Sequence, residues 1–213
     1  EGVAGRKILS KTAWKVAIVA AFLAFVRDNA TSETFGRICA MEEERPCMLP
    51  INDGTASAKR AVRCDETMAA VLRGERFLIF DGAMGTMLQQ AGLEAGELPE
   101  LLCFSNPAEV TDIHAQYVAA GSDVVTCNTF GANRRKLEGA AEVADVFKAA
   151  IDCAKASGAK YVAADIGPTG ALLEPLGTMP FDEAYDLFAE QVRAADAAGA
   201  DLFIIETMAD LLE

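Results

Sequence analysis

Phe77-Leu78-Ile79-Phe80-Asp81-Gly82-Ala83-Met84-Gly85-Thr86 carries four apolar residues into an aspartate, with glycines at 82 and 85. A short unbroken apolar run stopped by Asp-Gly predicts a strand buried on both faces, as in a parallel sheet. An acid at the carboxyl end of such a strand stands where α/β proteins place their chemistry. The pattern returns in Val124-Val125-Thr126-Cys127-Asn128-Thr129, Tyr161-Val162-Ala163-Ala164-Asp165 and Leu202-Phe203-Ile204-Ile205-Glu206. Between these strands lies a second repeat. Ala120-Gly121-Ser122-Asp123, Ser157-Gly158-Ala159-Lys160 and Ala198-Gly199-Ala200-Asp201 each end a predicted helix on glycine and feed the next strand.

Strands beginning near 77, 123, 161 and 201 are spaced by about forty residues, the size of β-α units in an open Rossmann-like sheet or a (β/α)8 barrel. The turn after Asp81 lacks the third glycine of a dinucleotide fingerprint, and no phosphate-binding G-x-x-x-x-G-K-[ST] occurs. The reading is therefore α/β, a (β/α)8 TIM barrel of which four β-α units are present. Helices are expected over Met68–Gly74, Met84–Ala91, from Asn106-Pro107 to Gly121 with Asn106 as N-cap, over Gly139–Ser157 and over Phe181–Ala198. A fourth helix after a strand is expected to begin at Ala209. The stretches Leu93–Asn106 and Ile166–Pro180 read as irregular.

Charge divides the chain near Met68. Residues 1–67 hold ten Lys/Arg and nine Asp/Glu, whereas 68–213 hold nine and twenty-three. The domain reading is an N-terminal extension over 1–67, irregular or unrelated, and a barrel half over 68–213. The net charge of −13 argues against nucleic acid as a partner. Val16–Val26 is an apolar run of eleven between Lys15 and Arg27, too short to span a bilayer and without a convincing signal-peptide cleavage site. The six cysteines contain no C-x-x-C pair, which reads as reduced thiols in a cytoplasmic protein.

In a barrel the strand ends converge on one mouth. Asp81, Cys127-Asn128-Thr129, Asp165 with Gly167, and Glu206 would gather there. Three carboxylates facing one cavity call for a shared cation, either a ligand ammonium or a divalent metal. The single histidine, His114, is placed by its spacing with Val110, Ile113 and Tyr117 on a helix away from the strand ends, as a packed or rim residue. Cys127 reads equally as a small buried residue or a reactive one. Arg134-Arg135-Lys136 reads as a solvated helix start.

The motifs Asp81–Thr86, Pro107–Tyr117, Ala120–Asp123, Asn128-Thr129-Phe130-Gly131-Ala132-Asn133 with Lys136-Leu137, Asp165-Ile166-Gly167-Pro168-Thr169-Gly170 and Glu206-Thr207 resemble the homocysteine S-methyltransferase family, nearest its cobalamin-dependent methionine-synthase branch. The resemblance covers 77–213. It implies a barrel that binds L-homocysteine and transfers a methyl group to its thiolate to form methionine. Carried over by position, Asp81 and Glu206 would hold the substrate ammonium and the Gly82 backbone would meet its carboxylate. Cys127, Asn128 and Thr129 would line the pocket, and Gly167 would shape its mouth.

The family also implies a zinc ion on the substrate sulfur, held by cysteines of later strands that do not occur in this sequence. No catalytic or metal residue is assigned here, and the chain by itself is expected neither to hold zinc tightly nor to turn over. Cobalamin and methyltetrahydrofolate would act through other domains; betaine and S-methylmethionine are the alternative donors. Two other readings remain open: a Mg²⁺-dependent lyase using Asp81, Asp165 and Glu206, and a non-catalytic product. Open sheet edges are expected to favour self-association.

Overall fold

The computed structural model describes residues 65–94, 96–210 and 212–213. Residues 1–64 of the expected extension, with its Val16–Val26 run and its three cysteines, lie outside the described residues. The described residues belong to two compact units, divided between Leu78 and Ile79. Residues 65–78 contain helix α1 (Glu66–Leu72), capped by Asp65, whose carboxylate accepts from the Met68 N–H at 2.8 Å.

The unit Ile79–Glu213 is an alternation of helices and parallel strands. Helix α2 (Met84–Gln90) follows the Asp81-Gly82 turn, and a 3₁₀ turn (Pro99–Leu101) leads into α3 (Leu102–Ser105) and α4 (Pro107–Ala119). Then come β1 (Val124–Thr126), α5 (Arg134–Leu137), α6 (Val143–Ala156), β2 (Tyr161–Ile166), α7 (Phe181–Ala198) and β3 (Leu202–Ile205). The sheet order is β1-β2-β3, all parallel, with Val125 opposite Val162 and Ala164 opposite Phe203. β2 is buried at all six positions, as its apolar run predicts for a central strand.

Helix α6 buries Val143, Val146, Phe147, Ala150, Ile151 and Ala154 at helical spacing and packs against α4 and α7. Phe147 and Ile151 are fully buried, each contributing about 1.5–3 kcal/mol relative to exposure. The glycines that stop α4, α6 and α7 share positive φ, at +103° for Gly121, +81° for Gly158 and +81° for Gly199. Only glycine adopts this turn without strain. No helix among the described residues is long and apolar enough to cross a membrane.

The aspartates that follow two of these glycines set the sheet register. Asp201 donates its N–H to the Val162 carbonyl at 2.9 Å, and its carboxylate accepts from the Val162 N–H at 2.9 Å. Asp123 does the same with Ile79, at 2.8 and 3.0 Å. In each case a side chain supplies the acceptor for an amide that the next strand, not yet begun, leaves open.

Several sequence expectations are corrected. Phe77–Phe80 is not a full strand: Phe80 makes one parallel bridge to Val124. Phe77 and Ile79 are 74% and 51% exposed, because a strand is buried on both faces only when neighbours cover both. Asn106 precedes α4, but its side chain makes no capping bond; its φ of −144° and ψ of 61° are not those of a capping residue. The expected helix over Gly139–Ser157 is shorter, and α5 is a separate turn capped by Asn133 Oδ1 on the Lys136 N–H at 2.9 Å. Ala209–Asp210 are bends rather than the start of a helix, and the Glu213 carboxylate accepts from the Ala209 N–H. Leu93–Asn106 holds the 3₁₀ turn and α3 rather than irregular chain alone.

Candidate functional site

Because the strands are parallel, their carboxyl ends share one edge of the sheet. Asp81 and Gly82 follow the Phe80 bridge, Cys127–Thr129 follow β1, Asp165 is the penultimate residue of β2 with Gly167 just beyond the strand, and Glu206 follows β3. Backbone bonds tie these ends together: Cys127 N–H to the Ala163 carbonyl at 2.8 Å, Gly167 N–H to the Phe130 carbonyl at 3.2 Å, and Glu206 N–H to the Ile166 carbonyl at 3.2 Å.

Asp81 sits in the protein interior. Its side chain is 2% exposed. Oδ2 accepts from the Thr126 N–H at 2.9 Å, whereas Oδ1 is buried with no hydrogen-bond partner. A buried carboxylate oxygen without a donor is costly, so Oδ1 is a place where a donor from a ligand would be stabilised. Beside it, Gly82 admits Tyr117: a Cβ there would lie 2.9 Å from the ring. Tyr117 donates its hydroxyl to the Ala83 carbonyl at 3.2 Å.

The other residues share the edge in different ways. Thr129 is fully buried, donating Oγ1–H to the Asp165 carbonyl at 2.8 Å and accepting from the Asp165 N–H at 3.1 Å. Asn128 turns its amide to the Pro99 carbonyl at 2.6 Å and the Cys103 sulfur at 3.7 Å. Both side chains are spent on bonds within the protein. The Cys127 thiol is pushed well above the ordinary thiol range, first by burial and then by the charges of Asp165 and Asp81. It stays protonated and is a poor nucleophile. Gly167 is a contact point: a Cβ there would sit 2.4 Å from the Phe130 carbonyl oxygen and 2.7 Å from its ring. Thr207 follows Glu206 at φ +62°, a left-handed conformation that costs a β-branched residue about 1–3 kcal/mol.

Three residues carry more than their sequence patterns indicate. His114 is fully buried, with Nδ1 3.8 Å from Asp81 Oδ2, so its helix does reach the strand ends. Glu100 is buried within the 3₁₀ turn, and its Oε1 accepts from the Gly131 N–H at 2.6 Å. Lys136 is not solvated like its neighbours. Its ammonium lies 5.0 Å from the centre of the Phe130 ring, and burial lowers its pKa against the pull of Glu100, Glu213 and Asp165. The buried apolar pattern of α4 is the one signal that could have placed His114 inward. Nothing in the local pattern marks Glu100.

Among the described residues no three His, Cys, Asp or Glu side chains gather into a group that could hold a metal ion. Asp81, Asp165 and Glu206 therefore do not form the magnesium trio, and the described residues do not form the zinc site that the family resemblance implies. The described cysteines, Cys103, Cys127 and Cys153, are free and buried.

Parallel strands alternating with helices, and polar residues collected at the strand ends, define an α/β domain with a parallel sheet. The homocysteine S-methyltransferase family model matches residues 78–213, and the chain belongs to that family. Methionine synthases of Mycobacterium leprae (strain TN) and Mycobacterium tuberculosis (strain ATCC 25618 / H37Rv) are each 31% identical over 157 residues. The match covers 65% of this chain and 13% of either relative. The homocysteine methyltransferase MmuM from Escherichia coli has a similar fold. Its metallated form superposes with a TM-score of 0.59 at 20% identity, over 69% of this chain and 59% of that one. Its oxidised form gives 0.55 over 65% and 56%.

Proposed function

We propose that this chain forms the homocysteine-binding face of a methyltransferase that makes methionine, built as the first four units of a (β/α)8 barrel over 68–213. Family membership supports the reaction class. The observation that carries the site is the buried, unpartnered Oδ1 of Asp81 at the carboxyl edge of a parallel sheet. In this reading Asp81 and Glu206 hold the substrate ammonium, and the Gly82 amide region receives its carboxylate. Cys127, Asn128 and Thr129 wall the pocket, and Gly167 keeps Phe130 close at its mouth.

The chemistry asked of these residues is orientation. Fixing the amino-acid end of homocysteine holds its sulfur at one place, so that attack on a methyl donor starts from a positioned nucleophile. A protonated Cys127 does not compete for the methyl group. The donor chemistry, methyl-cobalamin with methyltetrahydrofolate, belongs to other domains in this reading, and a zinc ion held by cysteines of later barrel strands would stabilise the substrate thiolate when bound. The reading places the protein in the cytoplasm. β3 is paired on one side only among the described residues, which supports self-association through that edge.

Equilibrium dialysis of the chain against L-homocysteine and against its des-amino analogue, 4-mercaptobutyrate, tests the reading. Preference for the amine-bearing ligand is expected. Equal binding of the two, or none of homocysteine, would overturn it.

A further inference from the structure

His114 poses a physical question that its family membership leaves untouched. An imidazole has two ring nitrogens, and buried polar atoms are almost always hydrogen-bonded. His114 is fully buried, yet neither Nδ1 nor Nε2 has a partner. One polar group faces it closely: Asp81 Oδ2, 3.8 Å from Nδ1. That distance is too long for a hydrogen bond and short enough for a small ring movement to make one. Asp81 has a matching deficit. Oδ2 is held by a single donor, the Thr126 N–H, and Oδ1 by none. Two adjacent buried groups with unmet hydrogen-bonding capacity each meet part of it if they act as a pair.

We propose that His114 is a positioning residue for Asp81: its Nδ1–H closes on Oδ2, joins the Thr126 amide there, and leaves Oδ1 alone to meet a primary ammonium. With one donor on Oδ2 the carboxylate can swing about that bond. With two it is fixed, and Oδ1 is presented in one direction. Side chains already held in place by hydrogen bonds from neighbouring side chains bind with less ordering cost. His114 sits on α4, which also carries Tyr117 against Gly82. One helix therefore sets both the acid and the turn beside it. The inference rests on the reading of Asp81 as an ammonium ligand.

The histidine is the only one in the chain, so ¹⁵N labelling of histidine gives a single imidazole to observe. The long-range ¹H–¹⁵N spectrum of the parent chain should show a proton on Nδ1. Asp81→Ala should give a mixture of tautomers. An Nε2–H tautomer in the parent, or a spectrum indifferent to Asp81→Ala, would overturn the proposal without any binding measurement.

Binding separates it from the functional reading. His114→Leu should weaken L-homocysteine about tenfold, equivalent to about 1.4 kcal/mol, while leaving 4-mercaptobutyrate unchanged. His114→Asn keeps a donor near the Nδ1 position and should restore most of the affinity. If Asp81→Ala weakens homocysteine and His114→Leu does not, the positioning role fails and the functional reading stands. If Asp81→Ala has no effect on homocysteine binding, both fail.

Discussion

Asp201→Ala tests how the repeated Gly-x-Asp motif builds the sheet. The substitution removes the carboxylate that accepts from the Val162 N–H at 2.9 Å but keeps the backbone bond from Asp201 to the Val162 carbonyl. Val162 is 1% exposed in the central strand, so water cannot replace the lost acceptor. A buried amide left unpaired costs about 1–3 kcal/mol. Asp123→Ala is the built-in control. Its partner amide belongs to Ile79, which is 51% exposed, and water can serve that N–H, so the expected cost is below about 0.5 kcal/mol. Asp201→Asn retains an acceptor oxygen and should fall between the two. Urea unfolding of the three variants and the parent gives the differences, provided the slope with denaturant stays constant. Hydrogen exchange at the Val162 amide should accelerate in Asp201→Ala alone. If Asp201→Ala and Asp123→Ala cost the same, burial is not what decides the value of this bond and the reasoning is refuted.

Gly167→Ala should destabilise by about 1–3 kcal/mol, because its Cβ would meet the Phe130 carbonyl at 2.4 Å; a thermal midpoint within a degree of the parent would contradict this. Thr207→Gly should stabilise by roughly 1 kcal/mol by relieving φ +62°, read from the same denaturation series, with no gain counting against strain at that position. The neighbouring Cys103 draws the Cys153 thiol down to about 7 from an ordinary 9.0, while Cys153 and burial push Cys103 up. Between those two values the unfolded chain holds a proton that the folded pair has released, so stability should rise with pH through that window and the slope should flatten in Cys153→Ser. A parent whose stability falls from pH 7 to 9 would show that the pair keeps both protons.

The strands β1, β2 and β3 and the helices α4, α6 and α7 are legible in the sequence because their signals are local. Unbroken apolar runs mark the strands, helical spacing marks the buried faces, and a glycine stops each helix. Phe77–Phe80 carries the same local signal and yet forms a single bridge, since burial of a strand depends on neighbours that its own residues do not specify. The site divides in the same way. The gathering of Asp81, Cys127–Thr129, Gly167 and Glu206 at one sheet edge is legible because they follow strands, and parallel strands bring such residues to one edge. His114 and Glu100 are not, because their roles rest on contacts with residues 33 and 31 positions away in sequence, Asp81 and Gly131. Lys136 hides inside a basic triplet whose other members point to solvent.

The most direct test of the account is calorimetric titration of L-homocysteine into the parent chain, Asp81→Ala and Glu206→Ala. Losing one partner of a buried charge pair is costly, so Asp81→Ala, at a side chain 2% exposed, should weaken binding by about a hundredfold. Glu206 is only partly buried, and its loss should cost less, about tenfold. Affinities equal to the parent in both variants would contradict the claim that these two acids hold the ammonium of homocysteine at the strand ends.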